Sequence, residues 1–436
     1  VGAERKEKFQ SLTGMRDALW PDSARRRALV ETFVTTAEQA GYRELVLPLV
    51  EDLGVFLRVG EATDVVNKEM YDFTDRDGTR VALRPEMTAG AARAFVQHRP
   101  LLPWKVFYAG SNFRHERPQK GRYRSFEQVG IEALGSDDPD LDVEVIVLAW
   151  RFFEQLGLRR VKLLLNTLGD HDERERYTAA VREHLRAHAA ELSEASAGTL
   201  ERNPLRVLDS KRPEDRAVTS TAPSISEFLG SDSAAHFGRV KEGLESLGVP
   251  FTVDERLVRG LDYYRRSTFE FVAEALDASQ NAIGGGGRYD RLVEDLGGPP
   301  TDGIGFALGV DRILLAADGE GVFDEPDAHL DVFVVDMTGG TEALLLTHEL
   351  RAAGFGADRR FGGGSMKSQM KAADRSGAAL AVIVGEDELA AGELTVRALR
   401  EHSDTAGDAA QRRIPRSELI PTIADHTTPE RPPQRP

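Results

Sequence analysis

Not one of the 436 residues is a cysteine. That excludes disulfides and thiolate-held metal, and it fits a cytoplasmic protein. The chain also lacks any run near the ~18 apolar residues that a membrane-crossing helix needs, so no membrane is expected. Its opening segment, Val1-Gly2-Ala3-Glu4-Arg5-Lys6-Glu7-Lys8, is rich in charge and has no apolar core of the kind a secretion signal carries. Positive charge is in deficit as well, because the formal net charge is −16. A nucleic-acid binder normally shows a basic footprint, but binding responds to local potential more than to the whole-chain sum. What is there, 41% hydrophobic and 29% charged residues, is the balance of a water-soluble globular chain with room for two or three domains.

The positive charge that exists is concentrated. The run from Phe113 to Glu132 holds Arg114, His115, Arg117, Lys120, Arg122 and Arg124 against Glu116, Glu127 and Glu132. Pro118 and Gly121 mark a turn between β-prone flanks, which predicts a strand, a basic loop and an antiparallel return. Alternate strand residues share a face, so Gln128, Gly130 and Glu132 point one way while Val129 and Ile131 alternate with these positions. Gly130 leaves room for a small ligand against the backbone. A solvated surface hairpin is the bland alternative, since charge runs usually just face water.

This order of residues resembles motif 2 of class II aminoacyl-tRNA synthetases, and the run Arg114-His115-Glu116-Arg117-Pro118 onward resembles the histidyl members. Other segments agree in order. Residues 16–40 read as a helix opening after Pro21-Asp22-Ser23, with Asp22 or Ser23 as N-cap, followed by a strand over Leu45-Val46-Leu47-Pro48-Leu49-Val50. A proline belongs at a strand edge or interface, and the pair resembles motif 1, which implies a homodimer. Val81 to Gly90 places Glu86 and Thr88 just past a strand; Met87 stands where the family usually has glycine. Arg259-Gly260-Leu261-Asp262-Tyr263-Tyr264 resembles the run specific to histidyl-tRNA synthetases, although a tyrosine pair alone is more often core than site. Ala282 to Asp290 is glycine-rich without the Gly-Lys-Ser/Thr of a phosphate loop. Gly285 to Asp290 resembles the strand and turn that floor the histidine pocket, with Gly285 a mild departure. Gly305 to Arg312 is no dinucleotide fingerprint, because Leu308 fills the third glycine position; it resembles motif 3.

The resemblance implies an α/β (α+β) catalytic domain over 1–325, built on an antiparallel sheet flanked by helices. A helical insertion falls at about 178–253, where it would lean on the tRNA acceptor arm or serve only as structure. After about Leu330, strands alternate with helices, which argues for a small α/β domain with parallel strands. It resembles the anticodon-binding domain of several class II synthetases, over 328–425, with a disordered tail at 426–436. On its helix Lys367, Lys371 and Arg375 fall at i, i+4 and i+8 and form one stripe, either a tRNA contact or a solvated face.

The implied reaction joins L-histidine to ATP as histidyl-adenylate and then transfers histidine to the terminal adenosine of tRNA(His). By resemblance Arg114 and Arg259 flank the α-phosphate as catalytic residues, and Glu116 and Arg312 meet the adenine end and the γ-phosphate. Glu86, Thr88 and Gln128 hold the α-amino group. The imidazole falls to Glu132 and Tyr264, with Tyr263 beside them, because neutral imidazole offers one donor and one acceptor. Arg122, Lys367, Lys371 and Arg375 are the candidate tRNA contacts. Mg²⁺ is expected with ATP as substrate, with no tightly bound cofactor and no dedicated metal cage. The rival is a synthetase-like, histidine-binding regulatory subunit of ATP phosphoribosyltransferase, which lacks the C-terminal domain.

Overall fold

In the computed structural model, residues 8–60, 65–210, 212–258, 263–277, 280–324, 330–400 and 411–426 are described. They fall into two compact units, residues 1–325 and 326–436.

The first unit contributes strands β1 (Arg43–Glu44), β2 (Val50–Asp52), β3 (Tyr71–Thr74), β4 (Arg80–Leu83), β5 (Trp104–Phe113), β6 (Ser125–Leu134), β7 (Val161–Thr167), β8 (Phe251–Val253), β9 (Arg265–Ala273), β10 (Ala282–Arg288) and β11 (Gly303–Gly309). Eight of them form one sheet in the order β1-β5-β6-β11-β10-β9-β7-β8, while β2-β4-β3 form a small sheet of their own. The central strands are antiparallel; β1–β5 and β7–β8 are the parallel edges. The expected hairpin is present, with β5 and β6 paired from Trp104–Leu134 to Phe113–Ser125.

One face of the large sheet is covered by helices. Val129 and Ile131 of β6 join Leu29 and Phe33 of the Asp22–Gln39 helix, Phe152 of the Pro139–Gln155 helix and Ile313 of the Val310–Glu320 helix in one core. Phe33 meets the rings of Phe107, Phe152 and Phe306 edge-on at 5.3–6.4 Å, a geometry aromatic pairs favour.

Two local expectations need correction. The first helix starts at Asp22, later than residue 16, and Pro21 occupies the cap position without a side-chain cap bond. Proline lacks an N–H and fits a helix start better than its interior. Asp22 therefore sits in the first turn, where a carboxylate complements the helix dipole, and it faces Arg16 and Arg26 at 3.7 and 3.9 Å. The strand expected over Leu45–Val50 does not form as one: β1 ends at Glu44, β2 begins at Val50, and the residues between are not strand. Only Leu45 continues the β1 pairing, donating to the Phe107 carbonyl at 2.8 Å, and Pro48 has no N–H to extend a ladder.

The helical stretch begins at His171, ahead of the expected 178, because Asp170 caps that helix in a reciprocal box with Glu173. Helices His171–Ala187, Glu194–Leu200, Leu205–Leu208 and Pro213–Thr219 share a separate small core of Tyr177, Val181, Leu185, Leu200, Leu208 and Val218. Asp215 ties its loops together, accepting from the Ser193, Ser196 and Ser210 hydroxyls at 2.8, 2.6 and 2.5 Å.

The second unit holds β12 (Val332–Asp336), β13 (Ala357–Arg359), β14 (Leu380–Val384), β15 (Glu393–Ala398) and β16 (Gln411–Pro415), in the order β13-β12-β14-β15-β16. The expected parallel pairing holds for β13-β12-β14 only. β15 and β16 return antiparallel, because the short Glu386–Ala391 helix between β14 and β15 is less than the dozen or so residues a parallel crossover needs. His426, assigned to the tail, is the last residue of helix Leu419–His426; residues 427–436 lie outside the described residues.

Candidate functional site

Strand alternation sends Val129, Ile131 and Ala133 into the helix-covered core and turns Gln128, Gly130 and Glu132 to the opposite face. The register then decides what Glu132 meets. Across the sheet its neighbours are Gly305 on β11, then Gly287 on β10. A Cβ on Gly305 would lie 1.9 Å from Glu132 Oε2, and one on Gly287 would lie 2.9 Å from a Tyr264 ring carbon. The glycines thus make the space that the carboxylate and the tyrosine occupy.

Glu132 is almost fully buried. Tyr108 donates to its Oε1 at 2.8 Å, and Tyr289 donates to Oε2. Burial is the dominant influence and raises its pKa from 4.5 to about 7, against the opposing pull of hydrogen bonds from Tyr289, Thr88 and Tyr108. Neither Tyr108 nor Tyr289 was singled out from the sequence. Tyr108 lies opposite Gly130 and hence diagonal to Glu132, a relation that only the β5–β6 register reveals. The room expected at Gly130 for a ligand is filled: a Cβ there would sit 2.6 Å from the Tyr108 ring and 2.4 Å from the Phe306 carbonyl oxygen. Tyr263 and Tyr264 are buried, their rings 4.7 Å apart, and Tyr263 meets Tyr289 edge-on at 5.8 Å.

Glu86 opens the Thr88–His98 helix region from the turn after β4, accepting from the Thr88 and Ala89 N–H groups at 2.7 and 2.9 Å. Burial pushes its pKa up, while these two bonds and the charge of Arg114 oppose the rise. The Thr88 hydroxyl stands close enough to Glu132, Tyr108 and Tyr263 to pull the pKa of each downward, against the rise that burial imposes. Met87, at the position where glycine was expected, has φ −109° and packs in a small core with Leu47 and Tyr108. A negative φ needs no glycine, so this departure leaves Glu86 and Thr88 in place. Gln128 accepts from Asn112 at 2.8 Å.

Three arginines gather beside this pocket. Arg114 donates from Nε to the Pro85 carbonyl at 2.9 Å, and its guanidinium lies 5.2 Å from the Phe126 ring centre. Arg312, at the start of the Val310–Glu320 helix, donates to the carbonyls of Ala282 and Gly121 at 2.7 and 3.2 Å. Burial lowers its pKa, and the like charges of Arg122 and Arg114 lower it further. Arg122, read from the sequence as a tRNA contact, is ion-paired with Glu116 within the loop. Arg259 lies outside the described residues. Lys367, Lys371 and Arg375 are exposed on the Met366–Ser376 helix of the second unit, whose inward positions are Gln369 and Ala373. That is the stripe the spacing predicts.

Arg84 is a further residue that sequence reasoning passed over. It is buried, and its guanidinium donates to the carbonyls of Leu47, Pro48 and Ser111 at 2.8, 3.2 and 2.9 Å. It thereby fastens the segment around Pro48 to the strand that leads into Arg114. Gly110 makes room for it, since a Cβ there would lie 2.6 Å from Nη2.

A buried carboxylate able to accept from a small polar ligand, next to convergent guanidiniums, suits a small polar molecule joined to a polyphosphate. Comparison with known proteins gives the same direction. A family model described as histidyl-tRNA synthetase matches residues 14–313, and one described as an anticodon binding domain matches residues 331–426. The histidine–tRNA ligase of Rhodococcus erythropolis is 47% identical over 423 residues, covering 96% of this chain and 98% of its own. That of Geobacillus kaustophilus is 43% identical over 405 residues, covering 91% and 95%. The crystal structure of the apo S. aureus histidyl-tRNA synthetase superposes with a TM-score of 0.80 at 32% identity, over 95% of this chain and all of that one. A Bacillus halodurans protein titled as an ATP phosphoribosyltransferase regulatory subunit/histidyl-tRNA synthetase shares the fold, with a TM-score of 0.62 at 21% identity over 84% of this chain and 97% of its own. With a family match over most of its length, and relatives nearly half identical from end to end, this chain belongs to the histidyl-tRNA synthetase family.

Proposed function

We infer that the chain is a histidine–tRNA ligase: it activates L-histidine with ATP to histidyl-adenylate and pyrophosphate, then transfers histidine to the 3′-terminal adenosine of tRNA(His). The observation that carries this reading is Glu132, an acid buried among phenols beside an arginine cluster, in a chain of this family. Glu132 accepts from one imidazole nitrogen through a lone pair the two phenols leave open, and Tyr264 donates to the other. Glu86, Thr88 and Gln128 hold the α-amino group. Arg114 grips the α-phosphate, with Arg259 on its other side, so that two permanently charged forks meet the charge that develops in the transition state. Arg312 meets the γ-phosphate and Glu116 the adenine end. Magnesium enters with ATP as part of the substrate. Residues 1–325 carry this chemistry, about 178–253 form an insertion within them, and 328–425 read the anticodon. The rival regulatory role is disfavoured because the relatives nearly half identical to this chain are histidine–tRNA ligases, whereas the regulatory-subunit likeness stands at 21% identity.

Exchange of pyrophosphate into ATP should depend on histidine and on no other amino acid. Exchange with proline or threonine and none with histidine would overturn the assignment.

The working form is a cytoplasmic homodimer, joined through the segment around Pro48. Val46, Leu49 and Val50 expose 83%, 48% and 42% of their surface there, an apolar group of the kind interfaces cover. Closed two-fold pairs are the commonest assembly. Light scattering should report twice the 47.9 kDa chain mass at micromolar concentration; a monomer would count against the interface.

A further inference from the structure

A second basic cavity shares no lining residue with the arginines described above. It lies between the His171–Ala187 helix, the 202–205 turn and the start of β9, and has a volume of about 460 Å³, within the range of small-ligand sites. Arg174 and Arg182 of the helix line it, with Arg202 of the turn and Arg265 of β9. Among the described residues its lining includes one carboxylate, Glu175, which His171 meets at 3.3 Å. Leu205, only 2% exposed, gives the cavity an apolar wall.

A solvated charged face is normally the outward side of one element. Here three separate segments each contribute arginine to the lining of one small volume. Burial lowers the Arg265 pKa, and the like charge of Arg291 adds to that. Guanidinium forks suit the oxygens of phosphate because each offers two parallel donors. Arg265 Nη1 also donates to the Tyr264 carbonyl at 3.1 Å, so the wall of this cavity and the wall of the proposed histidine pocket are consecutive residues.

We propose that this cavity is a second oxyanion site that takes a phosphate group, with Arg174, Arg182, Arg202 and Arg265 as its donors. Through Arg265 its occupancy is coupled to Tyr264. The phosphate is either free, as inorganic phosphate or pyrophosphate, or a backbone phosphodiester of the tRNA; only the second source rests on the function inferred above.

The test uses the full chain and the double variant Arg182→Ser/Arg202→Ser, which leaves every residue assigned to activation untouched. Calorimetry with inorganic phosphate and with pyrophosphate forms one arm. If the site takes the free anion, the double variant should lose one binding event by at least about tenfold, the effect of removing charge-assisted hydrogen bonds. The other arm is tRNA binding as a function of salt. If the site takes a phosphodiester, tRNA should bind the double variant about tenfold more weakly, and the log–log salt slope should drop by roughly 0.7–0.9 per lost contact. Unchanged phosphate, pyrophosphate and tRNA binding would overturn the proposal, as would a lowered melting temperature as the variant's only effect. Should the double variant fold poorly, Arg202→Ser alone, on the exposed turn, carries the same two arms. Histidine-dependent exchange in the same preparations reports the inferred activity separately, so failure of the cavity and failure of the function are distinguishable.

Discussion

The Glu132 pocket and the arginine cluster beside it handle charge in opposite ways. Glu132 is one acid sealed in a rigid sheet, surrounded by neutral phenols from β5 and from the turn after β10, with glycine opposite it on β11. Its charge state is negotiable, because burial has moved its pKa to about 7. Arg114, Arg122 and Arg312 form a group of like charges held by backbone carbonyls and by Glu116, on a loop and a helix start. Guanidiniums cannot give up their charge, so they tolerate this crowding only by facing something anionic or water. The difference suits a reaction with two unlike substrates. A neutral ring is discriminated by buried groups left unpaired when the wrong ligand enters, whereas a polyphosphate needs fixed positive charge.

The largest effect is expected at Glu132. Glu132→Gln keeps the shape but replaces an acceptor with a mixed amide, and kcat/KM for histidine in pyrophosphate exchange should fall by ~10³ or more. A loss under tenfold would mean that Glu132 does not read the ring. The pH dependence has a definite sign. The folded chain holds the Glu132 proton more tightly than the unfolded chain, so this group favours folding below about pH 4.5 and that advantage drains away as pH rises to about 7. Thermal unfolding across that window should show the slope in the wild type and less of it in Glu132→Gln. Histidine affinity should run the other way and weaken as pH falls below about 7, because the protonated acid no longer accepts.

At the arginine end a smaller effect is expected. Arg259→His should fold normally and slow adenylate formation by ~10², since one preorganised charge is lost from the transition state while others remain. The loss should fall on turnover more than on the histidine KM, the reverse of a defect in the ring pocket. Single-turnover rates within a few-fold of wild type would remove Arg259 from the chemistry.

These two ends were unequally legible in the sequence. Strand alternation was enough to turn Gln128 and Glu132 to one face and Val129 and Ile131 to the other, because period-two patterning is local. Tyr108, Tyr289 and Arg84 were not legible, since each acts across strands or between segments far apart in the chain. Tyr108 needed the β5–β6 register, and Arg84 needed the path of the chain at Leu47 and Pro48. The broken strand there and the antiparallel β15 show the same limit: apolar composition marks a strand, but pairing partners and connection length decide its direction.

Lys367, Lys371 and Arg375 present charge in a third way, exposed along one helix of the second unit. If the second unit reads the anticodon, their work is long-range attraction to phosphates, which salt screens. Replacing all three by alanine should leave histidine-dependent pyrophosphate exchange unchanged, since the residues assigned to activation lie in the first unit. Affinity for tRNA should weaken, and its log–log salt dependence should flatten by up to ~2 units, at ~0.7 for each single-strand phosphate contact. The thermal midpoint should move little, because exposed charges without buried partners contribute little to folding. A filter-binding series over salt concentration separates the outcomes. Flattening would place these charges on the nucleic acid, whereas an unchanged slope and affinity would make the stripe a solvated helix face and leave tRNA recognition to other residues.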